Sequence, residues 1–176
     1  MLRLFVGIEL PESVRQALSL VREEHPAARW HGPEQLHLTL NFIGSVAPQV
    51  AEQMARALEA APGPAFALQV EGVGYFGSPE QPRIFWAGVA ESSPLRVLQR
   101  NLETRLLPLG LMPDERPYAP HITLARVRQG IPLQAWLQRY AQLSLPAFPV
   151  EHICLYVSRG GAQSVHYEVL QRFALV

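Results

Sequence analysis

Short stretches of this chain recur in the same order about eighty residues apart. Arg3-Leu-Phe-Val-Gly-Ile-Glu-Leu is answered by Arg83-Ile-Phe-Trp-Ala-Gly-Val-Ala, an offset of 80. His37-Leu-Thr-Leu is answered by His121-Ile-Thr-Leu, an offset of 84, and Pro64-Ala-Phe by Pro146-Ala-Phe, an offset of 82. Single insertions in loops explain that drift. One such match could arise by chance, but three in one order mark an architecture built from duplicated units.

Each copy reads strand–helix–strand–helix–strand. Helical patterns cover residues 11–24 and 47–60 in the first copy, and 93–107 and 132–143 in the second. Pro11 suits a helix start, where its missing N–H costs nothing. Strands are expected after each Pro-Ala-Phe and at 84–89, 153–157 and 166–173. Turns are expected at Ala61-Pro-Gly-Pro, at Gly77-Ser-Pro-Glu-Gln-Pro, and in a loop from Met112 to Pro120 that feeds the second histidine motif. The expected fold is α+β: a single domain over residues 1–176, of two pseudo-symmetric lobes. Each lobe is an antiparallel sheet covered by helices on one face, with a cleft between. The sequence repeats span about 1–77 and 81–158.

Composition removes several kinds of chemistry. All 15 basic residues are arginines. Without lysine there is no Schiff-base catalysis, no P-loop lysine and no lysine–adenylate intermediate. Basic and acidic residues balance at zero net charge, so no global basic field drives nonspecific nucleic-acid binding. Cys154 is the sole cysteine and sits in the apolar run ICLYV, which suits a buried small hydrophobe better than a nucleophile. Asp114 is the sole aspartate, so two-metal carboxylate clusters have little to draw on. No metal or cofactor is expected. The apolar stretch at the N-terminus is too short for a signal peptide and no run suits a membrane span, so a cytoplasmic monomer is the default expectation.

In a strand, residues i and i+2 share a face. His37 and Thr39 therefore project together, as do His121 and Thr123. A pseudo-twofold axis would set the two pairs opposite each other. Histidine titrates near neutrality, so one imidazole can act as general base while its partner, protonated, acts as general acid at one phosphorus. Hydroxyls and an arginine can hold the non-bridging oxygens. Hydrolysis of a strained cyclic phosphate fits that set. Arg126 is the candidate arginine, but its odd spacing from His121 puts it on the wrong face unless a bulge intervenes or the strand ends first. His25, His31, His152 and His166 lack an equivalent in the other copy and read as structural or solvated.

The segments RLFVGIELP, HLTLNFIG, PRIFWAGV and PYAPHITLAR resemble the bacterial and archaeal RNA 2′,3′-cyclic phosphodiesterases, formerly called 2′-5′ RNA ligases, of the two-histidine phosphoesterase superfamily. The resemblance runs through nearly the whole chain. It implies hydrolysis of RNA ends or nucleotides bearing a 2′,3′-cyclic phosphate to 2′-phosphomonoesters, without a metal. It assigns His37 as general acid, His121 as general base, and Thr39, Thr123 and Arg126 as phosphate ligands. Asn41 stands where an arginine often follows the first motif. Phe42 and Tyr118 flank the motifs and are candidates for stacking on a base.

Two other readings use the same residues. Run backwards, the site would join a cyclic phosphate to a 5′-hydroxyl as a 2′-5′ RNA ligase acting on tRNA halves. Alternatively, the chain binds RNA ends without turnover, for which two matched histidines are more than is required.

Overall fold

The computed structural model describes residues 1–61 and 63–176. The first repeat contains β1 (Leu2–Glu9), α1 (Glu12–Ser19), the short β2 (Ala28–Trp30), β3 (His37–Val46), α2 (Pro48–Glu59), β4 (Phe66–Leu68) and β5 (Val70–Gly77). The second contains β6 (Pro82–Val89), α3 (Ser93–Leu106), β7 (His121–Val127), α4 (Leu133–Tyr140), β8 (Phe148–Val150) and β9 (His152–Gly161). β10 (Ser164–Ala174) follows as an added edge strand. The turn expected at Ala61-Pro-Gly-Pro includes Pro62, which lies outside the described residues.

The fold is α+β, with the sheet order β10-β9-β1-β3-β7-β6-β5 and every pairing antiparallel. A single backbone pair, Leu38 with Ile122, joins β3 to β7 at the centre. The sequence repeats differ from the spatial halves in one respect. The last strand of each copy crosses over: β5 pairs with β6 of the second copy, and β9 pairs with β1 of the first. β4 and β8 also pair across the copies. Each copy thus completes the other.

The first strand of each copy also aligns differently from its sequence match. Phe42 and Arg126 are equivalent at the offset of 84, and their partners are Phe5 and Ile84, an offset of 79 rather than 80. The arginine-to-arginine alignment would turn every side chain to the wrong face. Phe85 accordingly lies in the main core, whereas Phe5 packs on the opposite face with Cys154 and Tyr156.

One face of the sheet carries Leu4, Val6, Ile8, Leu38, Leu40, Phe85, Ala87, Ile122 and Leu124, and it is sealed by the apolar stripes of the helices. Trp136 of α4 stacks on Phe85 at 4.2 Å between ring centroids, and its Nε1–H donates to the Val21 carbonyl at 3.0 Å. That bond explains why α1 stops at Ser19 rather than at residue 24: the chain tightens into i→i−3 turns that deliver Val21 to the core. α4 stops at Tyr140 rather than at residue 143 for a related reason. The Leu143 carbonyl accepts from Gly72 N–H, and Leu145 N–H donates to Val70, so the chain leaves the helix to pair beside β5. Between the copies, Gly77 at φ 104° turns β5 into β6 so tightly that a Cβ there would meet the Gln81 carbonyl. Among the described residues no helix is long and apolar enough to cross a membrane.

Candidate active site

The Leu38–Ile122 pair fixes the centre of the helix-free face. Antiparallel register through that pair sets His37 opposite Thr123 and Thr39 opposite His121. Leu38 and Ile122 are fully buried toward the helices, so the four polar side chains project the other way. Two motifs separated by 84 residues thereby become one quartet about the pseudo-dyad.

Both imidazoles are held alike. His37 Nδ1 lies 2.8 Å from the Gln35 carbonyl, and His121 Nδ1 lies 2.8 Å from the Ala119 carbonyl. A carbonyl only accepts, so Nδ1 carries the proton in each ring and Nε2 is left for chemistry. His37 Nε2 lies 3.0 Å from Thr39 Oγ1, which donates to it while the ring is neutral. Burial pushes His37 down to about 4; the Gln35 carbonyl opposes the shift, and the nearby His31 and His121 add to it. Burial also lowers His121, against the pull of the Ala119 carbonyl. Each ring leans on aromatic walls that composition could not foresee. His37 has Phe5 at 4.7 Å and Tyr167 edge-on at 4.8 Å, while His121 has Phe76 edge-on at 4.8 Å and Trp86 at 6.5 Å. In both motifs the carbonyl that holds the ring belongs to the residue two before the histidine.

Of the two ways for Arg126 to reach the face of the histidines, a bulge or an early strand end, the structure has the bulge. β7 pairs Thr123 with Trp86 and Ala125 with Phe85, leaving Leu124 as the extra residue. β3 has the same bulge at Leu40, between Thr39–Gly7 and Asn41–Val6. In each strand two consecutive residues are then buried, and the alternation restarts one step later. Arg126 and Phe42 therefore return to the face of the histidines, and both are exposed. The adjacent apolar residues Leu124 and Ala125 were the trace of this bulge in the sequence.

Phe42 is 53% exposed and carries the Arg3 guanidinium 5.4 Å from its ring centre. Tyr118 is placed differently. Its ring packs against the core, its hydroxyl donates to the Thr39 carbonyl at 2.8 Å, and burial raises its pKa. This makes Tyr118 a strut behind the first motif rather than a free stacking platform. Asn41, at the position of the arginine often seen after the motif, is buried with Oδ1 unpartnered, so it does not reach the cleft as a cation would.

Of the other histidines, His25 accepts from Ala27 N–H, His166 meets Ser164 and His152 contacts Glu9. Glu9, His152 and Cys154 bring three potential metal-ligand atoms together among the described residues. Both Glu9 oxygens, however, accept from Arg172 at 2.8 and 2.9 Å, which holds the carboxyl down to about 2. A dication there would face that guanidinium. Burial raises the Cys154 thiol to about 12, in keeping with an inert side chain.

A family model described as the 2′-5′ RNA ligase superfamily matches residues 10–162. The RNA 2′,3′-cyclic phosphodiesterase of Geobacillus stearothermophilus is 36% identical over 182 aligned positions, covering 98% of this chain. The chain spans 57% of that relative's length. The RNA 2′,3′-cyclic phosphodiesterase of Thermotoga maritima is 34% identical over 135 positions, covering 72% of this chain and 71% of its own. The crystal structure of Escherichia coli LigT complexed with 3′-AMP superposes with a TM-score of 0.81 at 26% identity, covering 99% of this chain and 98% of that one.

Proposed function

The chain belongs to the 2′-5′ RNA ligase superfamily, and on that footing we propose that it hydrolyses terminal 2′,3′-cyclic phosphates of RNA to 2′-phosphomonoesters. The observation that carries the reading is the central register, which sets His37, Thr39, His121 and Thr123 side by side on one face of the sheet with both Nε2 atoms free of backbone partners. The relatives named RNA 2′,3′-cyclic phosphodiesterase support the substrate class, and the 3′-AMP complex of LigT supports a nucleotide in this cleft.

In this mechanism His121 Nε2 removes a proton from water, and the oxygen attacks phosphorus in line with the 3′-oxygen. The P–O3′ bond breaks, and protonated His37 gives its Nε2 proton to O3′. The product carries a 2′-phosphate and a free 3′-hydroxyl, and proton exchange with solvent resets the pair. Thr39, Thr123 and Arg126 hold the non-bridging oxygens as negative charge develops. A bound phosphodiester anion raises both imidazoles toward protonation, offsetting part of the burial that lowers them. A depressed pKa makes His37 the stronger acid once it is loaded with a proton.

Product analysis tests the reading. With EDTA present, the four nucleoside 2′,3′-cyclic monophosphates should each yield the 2′-phosphate. A 3′-phosphate product, or dependence on added metal, would contradict it.

A further inference from the structure

Arg29 on β2 stands directly opposite Arg126 on β7 in the antiparallel ladder. Like charges in that relation repel, and sheets ordinarily avoid it. Among the described residues neither guanidinium has a carboxylate partner, and the side-chain bond that Arg29 makes goes to the Ala162 carbonyl at 2.6 Å. Residues opposite each other share a face, so Arg29 lies on the same side of the sheet as Arg126, His121 and Thr123. Both arginines line a cavity of about 230 Å³ with His31, Glu34, Gln35 and Tyr167, roofed by the tip of the β9–β10 hairpin; Glu34 forms no ion pair with either arginine among the described residues. Gln35 fastens that roof through the Val165 carbonyl at 2.8 Å. Gln35 and Tyr167 also touch the catalytic side, since the Gln35 carbonyl orients His37 and Tyr167 packs edge-on against its ring. The cavity therefore lies beside the quartet, on the side of His37. Its volume falls below the roughly 300–1,000 Å³ of a site for a whole small-molecule ligand, which suits a segment of chain.

We propose that Arg29 and Arg126 form a second phosphate subsite, which takes the phosphodiester on the 5′ side of the terminal nucleotide. The inference rests on the cyclic phosphodiesterase reading above. Two guanidinia facing one another, neither in an ion pair, favour an anion between them, and the next phosphate of an RNA strand supplies it. Arg126 then stands between the reacting phosphate and its upstream neighbour, and Arg29 serves the upstream one. A base-binding pocket would need no opposed cations. The net-neutral chain would thus recognise RNA by a local pair of arginines rather than by a broad basic field.

The test compares kcat/KM for uridine 2′,3′-cyclic phosphate, its 5′-phosphorylated form, and the dinucleotide UpU ending in a 2′,3′-cyclic phosphate. The second and third should exceed the first by roughly tenfold or more, the size of one charge-assisted contact. Arg29→Gln, which keeps a donor for Ala162 but removes the charge, should reduce that ratio to within about twofold, and Arg29→Lys, which keeps a point charge, should retain part of it. Because the readout is a ratio within one protein, a general loss of folding cancels. A wild-type ratio near one, or a ratio untouched by Arg29→Gln, overturns the subsite while the cyclic phosphodiesterase reading stands. A gain for UpU without a gain for the 5′-phosphorylated nucleotide also overturns it, since a base or ribose would then be the ligand. No turnover of any of the three overturns both.

Discussion

Leu38 faces Ile122 across the one backbone pair that links β3 to β7 among the described residues. The pair carries no chemistry, yet it sets the phase of two strands at once. With both side chains turned into the core, the histidine and threonine on either side of each have one direction left. The proposed reaction depends on this contact between two apolar residues from separate copies.

The acid and base roles can be separated by changing the leaving atom. A 3′-thio-2′,3′-cyclic phosphate expels a thiolate, which needs little help from an acid. In His37→Ala the defect should shrink with the sulfur substrate by about 10²-fold or more, within the range that one general acid supplies. His121→Ala should remain as impaired as with oxygen. The opposite pattern would exchange the two assignments.

Stability should follow pH in two separate windows. His37 is depressed to about 4 in the fold from an ordinary value near 6.5, so its neutral form is favoured there. Its contribution is complete above about 6.5 and is lost as pH falls through 4, because the unfolded chain binds the proton first. His31 and His121 shift in the same direction. Glu9, held at about 2 by Arg172, contributes fully above its ordinary value near 4.5 and loses that contribution toward 2. Urea unfolding between pH 7 and 2 should show both declines. His37→Gln should flatten the upper one and Glu9→Gln the lower.

Phe42 and Tyr118 should behave oppositely. Phe42→Ala should leave the melting temperature nearly unchanged and raise KM for an oligonucleotide roughly 5- to 100-fold, as expected of a stacking platform worth about 1–3 kcal/mol. Tyr118→Phe removes the bond to the Thr39 carbonyl. It should cost about 1 kcal/mol of stability, or roughly 2–4 °C in Tm for a chain of this size. Calorimetry and steady-state kinetics on the two variants would tell platform from strut.

The duplicated His-x-Thr motif made the quartet legible in the sequence, because a strand's two-residue period needs no knowledge of its neighbours. The α+β class followed from the same repeat. Long-range pairing was not legible. Nothing local in Val70–Gly77 or His152–Gly161 says that each strand crosses to the other copy, since that choice is made by the partner edge. The match of Arg3 to Arg83 misled for a related reason: identity favoured one register and burial of Val6 and Phe85 another. Arg126 was half legible. Its spacing called for a bulge or an early strand end without choosing between them, and the adjacent Leu124 and Ala125 mark the bulge. Arg29 left no trace, because its meaning arises only from the residue opposite.

The central claim is that His37 and His121 act together on one phosphorus. The most direct measurement is kcat/KM on a 2′,3′-cyclic nucleotide, with EDTA present, for His37→Ala, His121→Ala and the double variant. Each single change should cost about 10²–10⁴-fold, and the double variant should fall well short of the product of the two losses, as for groups that work as a unit. Either single variant retaining activity within tenfold of wild type, with its fold intact, would contradict the account.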